Sequence, residues 1–440
     1  MGSLAATLIP ARVDSAADPA LAVALRIAQA GCGAVAADKV MERGAREIGL
    51  ANHAESGRLI VIVLGKAARG ALSGLQRALK GKIHSSFAVG GTGYPVPGQA
   101  NAYALGDHPL PAENSTRAAR SLREFVSAQA LTSRDVVAVA VTGGATAMLS
   151  ETIAPLWPGD LAAVSRLLLR SGLDVTIVNA VRRTCAPLLA GGLLDLLAPA
   201  QCVGLVLTDN VQVGLTGVGS GPTFATELDL PFVRYVVANE VRDDGVRARV
   251  LAAVDRVSSR RGFGVKHSNH EVGGPGLALS AMIGEGRAHG LAVESLGAAV
   301  QGDVELVART FADRLLTSGT NPGRPVAVLG CGEVTVTVRG SGRGGRCQEL
   351  ALRLAQAYSG GNAFTFVAAA TDGADYLPGV SGAWVSHETS SKAASRCLDI
   401  PALLRANDSY RAHDALGQVL TGPSGASNTC DVYVGISGLP

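Results

Sequence analysis

The chain has 440 residues, of which 47% are hydrophobic, 17% charged and 4% aromatic, with 55 glycines and a formal net charge of +3. That length exceeds one ordinary core and predicts two domains. The nearly balanced charge and scarce aromatics exclude a chain built to hold nucleic acid or an anionic membrane surface. Mean hydropathy is +0.26, yet no run supplies the roughly 18–20 uninterrupted apolar residues of a membrane span. The best stretch, Val136 to Leu149, is broken by Gly143 and Gly144. The N-terminus has no basic n-region and meets Asp14 and Asp18 early, so no signal peptide is expected. Seven cysteines lie dispersed without a C-x-x-C pair. They predict buried, reduced thiols in a cytoplasmic protein, rather than a disulfide framework or structural zinc.

Along the chain one pattern recurs. The run Leu59 to Leu64 leads into Gly65-Lys66-Ala67-Ala68, and Val136 to Val141 into Thr142-Gly143-Gly144-Ala145-Thr146. Val203 to Leu207 leads into Thr208-Asp209 and a glycine-rich stretch ending Ser220-Gly221-Pro222-Thr223. Short apolar runs bounded by glycines predict strands buried on both faces, and their alternation with helical segments predicts an α/β fold with a doubly wound, mostly parallel sheet. Ligands of such sheets bind beyond the carboxyl ends of the strands. The charged segment Arg234 to Arg261 predicts one helix near a domain boundary, dividing the chain into residues 1–235 and a smaller α/β domain, 236–440. There, Val326 to Leu329 and Val334 to Val338 flank Gly330-Cys331-Gly332-Glu333 as the arms of a hairpin. A helix is expected from about Gln348 to Tyr358, and a strand from Phe364 to Ala370 before Thr371-Asp372-Gly373.

The strongest local signal for chemistry is Gly340 to Arg346. Gly342, Gly344 and Gly345 let backbone N–H groups converge just before a helix, presenting donors and a positive dipole end to an anion, and Arg343 and Arg346 add guanidinium forks. The plainer alternative is a solvated turn with incidental arginines. Lys66, just past a strand, suits a bound anion or a transferring phosphoryl group as well as it suits a surface position. G-x-x-x-x-G-K-[ST] is absent, which excludes a Walker-type site. Acidic groups at loop positions include Asp209, Glu333, Asp372, Asp375, Asp408 and Asp431; Asp372 suits water-mediated Mg²⁺ or a substrate hydroxyl, or simply a turn. His108, in Gly106-Asp107-His108-Pro109-Leu110-Pro111, would need a neighbour to act as a base.

In sequence order these segments resemble the class II glycerate kinases, or glycerate 2-kinases, whose C-terminal part is the MOFRL domain (about 325–434 here). Gly65-Lys66-Ala67, Gly106 to Pro111, Leu169 to Gly172 with Asn179 to Arg183, Ser220 to Thr223, Gly332 to Val336, Gly344 to Glu349, Thr371-Asp372-Gly373, Asn407 to Tyr410 and Thr421-Gly422-Pro423 carry the resemblance. It implies transfer of phosphate from ATP, with Mg²⁺, to the 2-hydroxyl of D-glycerate or a related small hydroxy acid, in a cleft between two α/β domains. By motif position it implies Lys66 and Arg346 as catalytic. It further implies contacts to substrate or nucleotide from Thr142, Gly143, Gly144, Thr146, Arg182, Asp209, Ser220, Glu333, Gly342, Arg343, Gly344, Gly345, Asp372, Asn407 and Asp408, with Asp372 also toward the metal. The composition permits a homodimer without requiring one.

Several family positions are changed. The third glycine of S-G-G-G is Ala145; a histidine, a serine and a lysine are lost between Arg182 and Gly192; the second carboxylate of S-D-V-x-G-D is lost across Thr208 to Val213. The asparagine of R-N-Q-E is Cys347, and the residues after Thr371-Asp372-Gly373 read Ala374-Asp375-Tyr376-Leu377. Two other readings follow from these changes: a relative with non-kinase chemistry on a hydroxy acid or phosphorylated metabolite, such as a hydroxypyruvate reductase, or a non-catalytic binding protein. The want of a clean dinucleotide fingerprint counts against the reductase.

Overall fold

The computed structural model describes residues 9–10, 18–53, 57–94, 100–157, 159–209, 214–318, 325–359, 362–422, 427 and 429–439. They form two compact units. One combines the described residues up to Ala36, Asp209, and those from Gly273 onward; the other takes the described residues from Ala37 to Thr208 and from Gly214 to Val272. A division at residue 235 therefore cuts through the second unit, and the two units are comparable in length. The segment after 235 stays with the second unit because the strand His267–Gly273 lies in its sheet. The helix Pro19–Ala34 leaves it, its Leu21, Ala24, Ile27 and Ala28 being buried in one cluster with Ala278, Met282, Leu329 and Val434. No local pattern marks a pairing so distant in sequence. The charged segment is two helices, Leu230–Glu240 and Asp244–Val254, broken where Asp243 caps the second by accepting from the Val246 N–H at 2.9 Å.

The unit ending at Val272 is built on six strands: β1 (Leu59–Leu64), β2 (Ile83–Gly91), β3 (Ala102–Gly106), β4 (Val136–Val141), β5 (Gln201–Leu207) and β6 (His267–Gly273). They lie in the order β3-β2-β1-β4-β5-β6, and β1 to β5 are parallel. Alternation sends Ile60, Ile62 and Leu64 to the cluster that holds Ala118, Leu122, Leu161 and Val164. Leu59, Val61 and Val63 point the other way and are equally buried, with the helices Ala37–Glu47 and Ala68–Leu79 in contact with the strands. Burial of every residue explains why β1 and β4 read as unbroken apolar runs rather than alternating ones.

The C-terminal unit carries a mixed sheet of β7 (Ala292–Ser295), β8 (Val300–Asp303), β9 (Val326–Thr335), β10 (Phe364–Ala370), β11 (Gly382–Ser386), β12 (Val419–Thr421) and β13 (Asp431–Ser437), with Ile9–Pro10 paired to β12. The order is β12-β11-β10-β13-β9-β7, and β8 also pairs with β9. The expected hairpin at Gly330 to Glu333 is instead the middle of the continuous strand β9. Its glycines answer close approach rather than a turn: a Cβ on Gly332 would lie 1.9 Å from the Val300 carbonyl oxygen of β8, and one on Gly330 2.9 Å from Val300 Cγ2. Leu21 and Met282 lie in the cluster on one face of this sheet, Phe311, Leu350 and Leu354 in that on the other. All seven cysteines are free, six of them buried and Cys397 exposed. Among the described residues no single helix is long and apolar enough to cross a membrane.

Candidate functional site

In the unit ending at Val272, strand order reverses between β1 and β4, since the chain runs outward from β1 to β3 and then restarts on the other side. Such a switch point leaves a crevice at the carboxyl ends, where ligands of doubly wound sheets bind. Both glycine turns of the N-terminal motifs meet there. Lys66 N–H donates to Gly143 O at 3.0 Å, Thr142 N–H to Leu64 O at 2.9 Å, and Gly65 N–H to Val89 O at 2.9 Å. Gly65 has φ +112, and a Cβ there would stand 2.3 Å from Thr142 Oγ1. Glycine is therefore required both by conformation and by space. Buried Thr142 locks the turn, its hydroxyl donating to Leu64 O at 3.1 Å and accepting from Ala67 N–H at 3.3 Å. The hydroxyls of Thr146 and Ser220 lie 2.9 Å apart and tie the next turn down.

Two nitrogen-bearing side chains lie against Gly144. A Cβ on this residue, whose φ is +86, would lie 3.0 Å from Lys66 Cγ and 3.2 Å from His108 Cδ2. Lys66 Nζ stands 6.0 Å from the centroid of the Tyr94 ring, and that ring meets His108 edge-on with centroids 6.4 Å apart. Arg182 comes from the helix Val175–Cys185 and is buried, with neutral partners: Nε donates to Ser165 Oγ at 2.8 Å and Nη1 to Asn179 Oδ1 at 3.3 Å. Burial pushes its pKa down. Burial, then the charges of Lys66 and Arg182, push the His108 pKa down to about 4, so its imidazole is neutral near pH 7. Lys66 and Arg182 thus bring positive charge to one place while the histidine withholds its own. The helix Ala68–Leu79 also starts here without a side-chain cap, so its first amides add to the attraction for an anion.

The second predicted cluster is built differently. In the loop before the helix Arg346–Ala357, the amides of Arg339 and Gly340 donate to Asn407 Oδ1 at 2.7 and 3.0 Å, Gly342 to Ala406 O at 2.9 Å, and Arg343 to Asp408 Oδ1 at 3.0 Å. At the helix start, Cys347 and Gln348 donate to the two oxygens of Asp375 at 3.1 and 2.9 Å. The anion on this helix terminus is a carboxylate of the protein itself, buried and held up to about pH 6 by that burial and by Asp431. Among the described residues the amides of Ser341, Gly344, Gly345 and Arg346 meet no acceptor. Arg346 Nε and Nη2 grip fully buried Asp431 at 2.5 and 3.0 Å, while Nη1 pairs with Glu333. Burial opposes that charge, but the two carboxylates outweigh it and hold the guanidinium firmly protonated. Three of its five donors are so engaged. Arg343 lies over the Tyr410 ring, its guanidinium carbon 4.9 Å from the centroid.

The structure therefore brings Lys66, Thr142, Gly143, Gly144, Thr146, Arg182 and Ser220 together in one unit, and Glu333, Gly342, Arg343, Gly344, Gly345, Arg346, Asn407 and Asp408 in the other. Asn407 and Asp408 act as loop supports rather than open ligands. Asp372, just past β10, accepts from the Ala374 N–H at 3.0 Å in a turn. Asp209 follows the carboxyl end of β5, but Asn210 to Val213 and Pro423 lie outside the described residues. Asp375 and Asp431, which organise the second cluster, were visible only as loop acids in the sequence; a carboxylate opening the apolar run of β13 is the signal that Asp431 offered. Nothing in the sequence around Tyr94 marks it. Among the described residues no three His, Cys, Asp or Glu side chains gather as metal ligands.

The chain is similar to known proteins along most of its length. Residues 23–254 match the domain of unknown function DUF4147, and residues 326–431 the MOFRL family. A protein of Agrobacterium vitis named "Putative hydroxypyruvate reductase" is 30% identical over 84% of this chain and 85% of its own length. A glycerate kinase of Macaca fascicularis is 31% identical over 68% of this chain and 87% of its own length. In fold, the chain resembles a crystal structure of a glycerate kinase from Thermotoga maritima, with a TM-score of 0.81 at 23% identity over 94% of this chain and 99% of that one. With more than half its length matched by one domain model and the MOFRL domain following in order, the chain belongs to the class II glycerate kinase family.

Proposed function

We propose that this protein is a cytoplasmic kinase that moves the terminal phosphoryl group of ATP to the hydroxyl of D-glycerate or a closely related small hydroxy acid. The observation that carries the reading is the cationic cluster at the β1–β4 switch point, where Lys66 and buried Arg182 flank glycine turns beside a neutral histidine. Phosphoryl transfer asks chiefly for positioning and for neutralising charge on the moving group. Lys66, on a mobile four-carbon stem, serves the transferring phosphoryl group. Arg182, fixed by Ser165 and Asn179, presents a planar fork suited to the carboxylate of the acceptor. Arg346 contributes its two uncommitted N–H donors to phosphate, with the amides of Gly344 and Gly345 beside it. Mg²⁺ arriving with nucleotide keeps mostly phosphate and water ligands and needs only about one or two carboxylates; Asp372, at the carboxyl end of β10, is the one we assign.

The test is ADP formation from ATP and Mg²⁺ with D-glycerate, L-glycerate, lactate and tartronate as acceptors. Turnover with D-glycerate supports the reading. A folded protein that yields no ADP above background with any of them sinks it. The name carried by the Agrobacterium relative gives the second arm: loss of NADH fluorescence with hydroxypyruvate would favour a reductase. Thermal stabilisation by nucleotide without turnover would favour a binding protein.

A further inference from the structure

We propose that His108 receives the proton of the acceptor hydroxyl as that hydroxyl attacks the transferred phosphoryl group, a reading that rests on the kinase function above. The geometry supplies the argument. His108 stands two residues past the carboxyl end of β3, in the crevice side of the sheet, and is brought against Gly144 on the same side as Lys66. The Tyr94 ring meets it edge-on at 83° and fixes one flank. Its sequence neighbour Asp107 is turned away: both carboxylate oxygens accept from Asn114, at 2.9 Å from the backbone N–H and 2.8 Å from Nδ2. The charged groups acting on the imidazole are Lys66 and Arg182, and both are cations. Among the described residues no hydrogen bond holds either ring nitrogen. A half-buried histidine that feels two cations, its ring nitrogens held by no hydrogen bond among the described residues, is placed to take up a proton rather than to brace the fold.

The same two cations make the histidine respond to substrate. In the free protein burial, Lys66 and Arg182 hold it neutral, with its pKa at about 4. A polyphosphate at Lys66 and a carboxylate at Arg182 cancel the two charges, so the imidazole becomes a stronger base once both substrates are bound. In the step itself the hydroxyl O–H bond breaks and its proton passes to an imidazole nitrogen. The oxygen–phosphorus bond forms, and the bond from the terminal phosphorus to the bridging oxygen breaks with its electron pair going to ADP. The imidazolium then releases the proton to water.

The experiment compares kcat and KM for D-glycerate and ATP in the wild type, His108→Asn and His108→Gln, and follows the His108 imidazole resonance through a pH titration of the wild-type protein with and without ATP. The expected result is a fall in kcat of about 10²–10³-fold in both variants with KM within about threefold. The titration midpoint, near 4 in the free protein, should rise by more than about one unit with ATP. An inactive wild type overturns the kinase reading and this proposal with it. An active wild type whose folded variants keep kcat overturns this proposal alone. So does a midpoint that ATP does not move, which decides the matter even if both variants fail to fold.

Discussion

Two glycine-rich turns in this chain look alike as sequence and differ as structures. Around Gly65 and Gly143 the close approach is between two strand ends; Lys66 and His108 lie against Gly144 beside them, and Arg182 acts on the same histidine. Around Gly340 to Gly345 the close approach is to the protein's own acceptors, Asn407, Ala406, Asp408 and Asp375, which take six amides in and before the helix Arg346–Ala357. Glycine permits a backbone to come near something, and does not say whether that something is ligand or protein. On the reading proposed above the first turn is a prepared anion site; the second is largely a scaffold that carries Arg343 and Arg346.

That contrast is broken most directly by substitution of the two cations. Lys66→Ala should lower kcat by about 10³-fold or more if its charge has the proposed role at the moving phosphoryl group, and should leave the melting temperature nearly unchanged. Arg346→Ala should do the reverse in emphasis. It strands Asp431, fully buried and held by two of the arginine's bonds, and removal of one partner of such a pair costs about 3 kcal/mol, at the lower end because the guanidinium is one-third exposed. Urea denaturation beside a steady-state assay separates the two. Equal stability loss in both variants would erase the distinction drawn between the turns.

How much of this was legible beforehand follows from what each signal depends on. Strands β1 and β4 were plain, because burial on both faces makes every residue apolar. The place of Lys66 just beyond such a run was plain for the same reason, but spacing alone does not separate an anion ligand from a surface lysine. The Gly330-Cys331-Gly332 segment misled, since glycine serves a neighbouring strand and a turn equally well, and only the pairing with Val300 decides between them. The satisfaction of the second loop was hidden, because Asn407 and Asp375 reach it from about 30 to 70 residues away. His108 was visible as a stiffened-loop histidine but not as a neighbour of Lys66. The grouping of the helix Pro19–Ala34 with the chain's far end has no local signal, because its partners lie about 250 residues or more away in sequence.

A smaller effect sharpens the comparison at single glycines. Gly144→Ala should lower kcat by about tenfold, since the added methyl must displace the Lys66 stem or His108 by a few tenths of an ångström and the left-handed φ of +86 disfavours it further. Gly344→Ala meets Ser409 Oγ at 2.1 Å, so its cost should appear in the melting temperature of the C-terminal unit before it appears in KM. A Gly144→Ala enzyme with undiminished kcat would mean that the crevice tolerates movement of both bases.

The least dramatic prediction concerns acid. Within the C-terminal unit, buried His413 and buried Asp375 both contact Gln348, His413 Nε2 lying 2.8 Å from its carbonyl oxygen and Asp375 accepting from its amides. Burial lowers His413 to about 4 and raises Asp375 to about 6. For His413 the unfolded chain binds the proton more readily, so stability present above pH 6.5 is lost as pH falls toward 4. For Asp375 the folded chain binds it more readily, so its contribution is full below pH 3.8 and is lost as pH rises through about 6. Acidifying from about pH 7 to 5 therefore weakens the unit through the histidine while Asp375 returns about 1 kcal/mol of that loss. Asp375→Asn removes the return, so the variant should lose more stability than the wild type over the same interval, read from urea midpoints at the two pH values. Parallel losses would show that the carboxyl on the helix terminus stays ionised throughout, so that the scaffold turn holds a true anion down to about pH 5.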